Sequence, residues 1–170
     1  MTVERINPTS MRPSEEYYAH VTKAGNMVFV AGQAAVGKDN KMIGVNDITA
    51  QAEEVFSQLQ QCLRAAGTDL SHVVKLNTFL IRPEDNRPVA AVRSKYFREA
   101  GLLPASTMVI VARLARPEML IEVECIAVQP CSLLKSWNRL WWIRSHEITR
   151  TCFFVASRND VIGTRRRASS

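Results

Sequence analysis

Two neighbouring runs, residues 103–114 (LPASTMVIVARL) and 119–128 (MLIEVECIAV), restrict what this chain can fold into more than any other feature. Both are rich in alternating and β-branched apolar residues, the mark of strands, and the ARPE link at 115–118 reads as a turn. The second run puts Glu122 and Glu124 on one face beside Ile126 and Val128. A carboxylate inside an apolar strand is costly unless something pairs with it or uses it. The chain therefore needs a sheet, and one face of that sheet is where a site is expected.

Residues 1–130 read as one globular domain. With 170 residues and 46% apolar content the chain can bury a sizeable core. Its net charge of +6 is unevenly placed: residues 132–170 hold 8 Lys+Arg against 2 Asp+Glu, so the part before them is neutral. All three tryptophans, Trp137, Trp141 and Trp142, lie in the same stretch. Residues 131–170 are read as a basic, Trp-containing C-terminal extension that is expected to be poorly ordered. The competing reading makes Leu133, Leu134, Trp137 and Trp141 a short amphipathic helix for a membrane surface or a partner.

The start lacks a cationic segment followed by an apolar run, and no stretch is apolar enough to span a bilayer. A cytoplasmic location without a membrane span is expected. The four cysteines form no CxxC and no zinc-type spacing with histidine, so they are read as reduced, structural thiols.

Strands are expected at 17–22 and 27–31, forming a hairpin around Ala24, Gly25 and Asn26. The loop GQAAVGKDNKMIG has room for one more short strand. A helix follows over 47–66, where Ile48, Ala52, Val55, Leu59, Cys62 and Ala66 recur at helical spacing. Asp47 can cap its start and Gly67 can end it. A strand is expected at 73–81 and a second helix at 88–100, with Pro88 in its first turn and Gly101 at its end. The inward stripe of that helix is Val89, Val92, Tyr96 and Ala100.

The order β-β-(β)-α-β-α-β-β predicts an α+β fold, a mixed β-sheet with two helices on one face. MVFVA and MVIVA are nevertheless apolar on both faces, as strands covered on both sides are. No spare helix remains to cover the second face. Association with identical subunits is the simplest answer.

Two apparent signals fail. Residues 32–39, GQAAVGKD, resemble a phosphate-binding loop, but Asp39 stands where a hydroxyl belongs and the next helix begins eight residues later. His20, His72 and His146 are scattered, with no i,i+4 pair. No metal and no cofactor are expected.

AGNMVFVAGQ (24–33), AQAEEVFSQLQQCLRAAG (50–67), VVKLNTFL, PAST and IEVECIAV together resemble the Rid (YjgF-type) reactive-intermediate deaminase family over about residues 15–128. The resemblance implies a chorismate-mutase-like fold and a homotrimer whose sheets enclose a barrel, with clefts at the subunit interfaces. It also implies hydrolysis of small enamines or imines to keto acids and ammonia. In that family a strand arginine after PA grips the substrate carboxylate, a glutamate late in the last strand handles water, and an early tyrosine lines the cleft. Tyr18 matches the tyrosine and Glu122 the glutamate. Ser106 stands at the arginine position, and Arg93 where a second-helix asparagine is usual.

These departures matter physically. A guanidinium offers a planar fork to a carboxylate; a serine offers one neutral hydroxyl. Losing a charged contact of that kind costs about 1.5–3 kcal/mol. The pocket is thus expected either to take a neutral or cationic imine or to find another cation, with Arg93 the nearest. Glu122 is the candidate catalytic residue, and Tyr18, Arg93, Ser106 and Met108 are the candidate substrate-binding residues. Glu124 is expected to be ion-paired. The expected partner is a small imine or enamine other than 2-aminoacrylate. A metabolite-binding trimer without turnover is the main alternative, and an RNA-directed role is disfavoured because the basic excess lies in the extension.

Overall fold

The computed structural model describes residues 2–14 and 17–130. The expectations for residues 131–170 lie outside them. Six strands and two helices occur in the order β1 (Val3–Ile6), β2 (Val21–Ala24), β3 (Met27–Gln33), α1 (Ile48–Ala65), β4 (Val73–Leu80), α2 (Asn86–Ala100), β5 (Ala105–Ile110) and β6 (Ile121–Val128). Single 3-10 turns precede β4 and α2, at Leu70–His72 and Pro83–Asp85.

The helices form for the reasons the sequence indicates. The Asp47 carboxylate accepts from the amides of Thr49 and Ala50, satisfying donors that the first turn of α1 leaves free. Gly67 follows α1 with φ +80°, and Gly101 caps α2 in the left-handed conformation at φ +77°, where a side chain would be strained. Val55, Phe56, Leu59, Cys62 and Leu63 of α1 are fully buried. From α2, Val89 and Val92 are buried and Tyr96 packs on the core, as expected. Phe97, which the predicted stripe leaves out, is also buried and meets Phe56 edge-on.

All six strands form one sheet in the order β1-β2-β3-β6-β4-β5. The last strand of the sequence is thus central, antiparallel to both β3 and β4, while β5 runs parallel to β4 at the edge. Along β6 the burial alternates strictly. Ile121, Val123, Cys125 and Ala127 are buried with the helices, and Glu122, Glu124, Ile126 and Val128 lie on the other face, half-covered. No helix among the described residues covers that second face, where Phe29 and Val109 are exposed.

Several sequence expectations are corrected. The strand expected at 103–114 is only Ala105–Ile110, because Ala112 and Arg113 leave the sheet edge for an irregular loop. The strand expected at 17–22 begins at Val21 and continues through Ala24, since residues 17–20 follow an irregular path. The loop after β3 supplies no strand, only an isolated bridge between Val36 and Met42. The extra strand is instead β1, whose VERI sequence is mostly exposed and pairs only with β2. Such an edge strand has no apolar alternation to reveal it.

Candidate functional site

β6 carries the two carboxylates, and its neighbours decide their environments. Glu124 faces Asn77 of β4, and the Asn77 amide donates to its Oε1 at 2.8 Å. The expected ion pair is therefore replaced by an amide hydrogen bond, because no cation projects from the paired position. Glu122 faces Phe79 on β4, which offers no donor. Among the described residues no hydrogen bond or ion pair to the Glu122 side chain is formed.

On the β3 side the pairing is irregular. Val30 pairs with Cys125 and Gln33 with Val123, so Ala31 and Gly32 together oppose the single Glu124. This is a β-bulge, and it brings Gly32 under the neighbouring Glu122 side chain. A Cβ built on Gly32 would lie 2.0 Å from Glu122 Oε1. Glycine at this position is what lets the carboxylate lie against the strand. The sequence signal was a glycine inside a strand, which marks a bulge or a close approach but does not say to what.

Burial pushes the Glu122 carboxyl above its ordinary pKa; Glu124, two residues along the same face, adds to this, and the Arg12 guanidinium opposes it. Arg12 is a residue that sequence reasoning passed over. Its Nη2 donates to the Tyr18 hydroxyl, and its guanidinium carbon lies 5.6 Å from the centroid of the Tyr18 ring. Tyr18 is half-buried. A lone arginine in a loop before the first matched segment carries no signal in a single sequence.

The other three candidates lie elsewhere. Ser106 pairs with Leu76 and Met108 with Thr78, both buried positions on the helix-covered side of β4. Met108 packs against the core there. Arg93 reaches across from α2, and its Nη1 donates to Ser106 Oγ at 3.0 Å. The cation expected to compensate for serine at this position thus donates to that serine itself. Within one chain, however, this group and Glu122 occupy opposite faces of the sheet. No single subunit brings all five candidates together.

The open face also holds a concavity of about 280 Å³ lined in part by Thr22, Phe29, Ala31, Asn77, Glu124 and Ile126. No cluster of three or more metal-ligating side chains occurs among the described residues. No helix among them is long and apolar enough to cross a membrane. Cys62 and Cys125 are buried free thiols, both pushed up to about 12 by burial.

The sequence matches the family described as Endoribonuclease L-PSP over residues 9–129. It is 36% identical over 131 residues to RutC family protein slr0709 of Synechocystis, covering 76% of this chain and 99% of that one. It is 32% identical over 127 residues to the 3-aminoacrylate deaminase RutC of Acinetobacter baylyi, covering 75% and 98%. The crystal structure of the Escherichia coli YjgF gene product aligns with a TM-score of 0.69 at 28% identity, covering 75% of this chain and 99% of that one. With nearly the whole length of these relatives accounted for, the chain belongs to the Rid (YjgF/RutC) family, and its sheet with two helices is that family's chorismate-mutase-like α+β fold.

Proposed function

We propose that this protein is a deaminase that hydrolyses a small imine or enamine and releases ammonia, working in clefts between copies of the chain. The observation that carries the reading is the Glu122 carboxylate: half-covered, laid against Gly32, and without a protein donor among the described residues. A carboxylate so placed takes its hydrogen bonds from water. The name of the Acinetobacter relative, a deaminase of an enamine acid, supports the reaction class.

The chemistry needs no cofactor. An enamine first tautomerises to its imine. Water bound to Glu122 adds through oxygen to the C=N carbon while the carboxylate accepts its proton. That proton passes to nitrogen to give the carbinolamine, whose hydroxyl proton then moves by way of the same carboxylate to nitrogen as C=O forms and the C–N bond breaks, releasing ammonia. Raising the pKa of the glutamate brings its basicity closer to that needed near neutral pH.

Two observations support assembly. The uncovered sheet face exposes Phe29 and Val109, and edge strand β5 has only one neighbour. In a homotrimer, as the family resemblance implies, Arg93, Ser106 and Met108 of one copy form the wall opposite Tyr18 and Glu122 of the next. Arg93 then supplies the positive charge for a substrate carboxylate, delivered from α2 instead of from β5.

The test is decay of imines generated in situ by an amino-acid oxidase. The protein accelerates it, and Glu122→Ala abolishes the gain. Ser106→Arg increases the rate on 2-imino acids relative to neutral imines. Ligand-induced thermal shifts without any acceleration would overturn the enzyme reading in favour of a binding protein. Sedimentation of a stable lone subunit would overturn the interfacial cleft.

A further inference from the structure

We propose that the concavity beside Glu124 receives a positively charged end of the substrate, so that this protein prefers imines with a distal cation. The inference rests on the proposed hydrolysis at Glu122 and names the class of substrate for it.

Glu124 is two residues from Glu122 on the same half-covered face of β6, which sets their backbone positions about 7 Å apart along the strand. Their surroundings differ. Glu122 lies against Gly32, whereas Glu124 lines the concavity of about 280 Å³. The hollow begins beside Glu122: Ala31, the residue before Gly32, lines it, because the β3 bulge sets both residues against Glu124. The short side chains of Ala19 and Ala31 leave it open, and Phe29 and Ile126 give it apolar walls.

Glu124 is held in place without being neutralised. Asn77 donates to its Oε1 at 2.8 Å and fixes the side chain, while Oε2 accepts no hydrogen bond among the described residues. No described cation lies within ion-pair distance of it. Lys75 shares this face of the sheet, but it lies opposite Ile126 and its ammonium donates to Thr107 of β5 at 2.6 Å. A carboxylate in a half-covered apolar hollow is costly until a positive charge meets it. An aromatic wall such as Phe29 favours a cation over a neutral group as well.

The spacing selects the substrate. A chain of about five single bonds spans roughly 6 Å. An imine whose reacting carbon meets the water on Glu122 therefore reaches Glu124 with a charge carried that far along its side chain. Its carboxylate goes to Arg93 of a neighbouring copy, so each charged end meets its opposite.

The test uses two amino acids of similar length that cannot cyclise: ε-trimethyllysine, whose side chain is cationic, and ε-acetyllysine, whose side chain is neutral. Each is first added unreacted to the full chain and followed by NMR at the Asn77 side-chain amide. The cationic one binds about fivefold more tightly, the upper end for a partly exposed ion pair. Glu124→Gln, which keeps an acceptor for Asn77, removes the difference. The 2-imines of both are then generated in situ by an amino-acid oxidase. The kcat/KM ratio favours the charged imine and falls about fivefold in Glu124→Gln. Equal affinities in the parent protein, or a ratio that the variant leaves unmoved, would overturn the proposal. A Glu124-dependent preference for the cation in a protein that hydrolyses neither imine would leave the cation site standing and sink the enzyme reading alone.

Discussion

Replacing Gly32 by alanine separates the site from the fold more cleanly than any change to Glu122 itself. The added Cβ would lie 2.0 Å from Glu122 Oε1 and 2.8 Å from its carboxyl carbon, so the carboxylate has to leave. The backbone does not object, because Gly32 is not among the glycines with positive φ. The obstacle is the end of a flexible side chain, and turning it aside costs about 0.5–1.5 kcal/mol if it ends off-rotamer. Against that, alanine narrows the unfolded ensemble relative to glycine by about 0.4–1 kcal/mol. The net change in stability should lie within about 1 kcal/mol of zero. The rate should not survive, since misplacing a reacting group by about 1 Å can cost a hundredfold. The assay pairs urea unfolding with imine decay on the same preparation. Unfolding like that of the parent protein with about a hundredfold slower hydrolysis is the expected result. A Gly32→Ala protein that retains full activity would refute the reasoning, because the carboxylate would then not be working from its place against β3.

Other consequences follow from the same coordinates. The Glu122 carboxyl is pushed above its ordinary range, so the folded state holds its proton more tightly than the unfolded chain does. That stabilising contribution is complete below the ordinary carboxylate range and is lost as pH rises through the elevated folded value. Glu122→Gln should therefore melt higher than the parent at neutral pH, and the gap should close in acid. Cys62 and Cys125, both pushed up to about 12 by burial, should resist alkylation in the native protein and react only on unfolding, as site-resolved mass spectrometry will report. Asp47→Ala removes the acceptor for two α1 amides and should cost about 1 kcal/mol in urea unfolding. Phe97→Ala empties a buried contact with Phe56 and should cost about 3–5 kcal/mol.

Much of the fold was legible because its determinants are local. Asp47, Gly67 and Gly101 mark the helix ends by what their own side chains, or lack of one, do to adjacent backbone. The period-two pattern of β6 separates its buried from its half-covered residues without knowledge of any partner. The α2 stripe was legible except for Phe97, which is buried by the approach of α1 and not by its place on its own helix. β1 was missed because pairing with one neighbour at an edge leaves its residues mostly exposed.

The sequence alone determined the inventory: two capped helices, acidic residues on one face of an apolar strand, and a serine where the resemblance implies an arginine. Tertiary structure decided who meets whom. It placed β6 between β3 and β4, opened a bulge so that Gly32 lies beneath Glu122, and set Ser106 with Arg93 on the opposite side of the sheet. It also carried Arg12 onto Tyr18. The division has a physical cause. Capping and alternation are settled between residues a few positions apart, whereas register, bulges and the facing of side chains arise only when strands distant in sequence pair and fix each other's geometry.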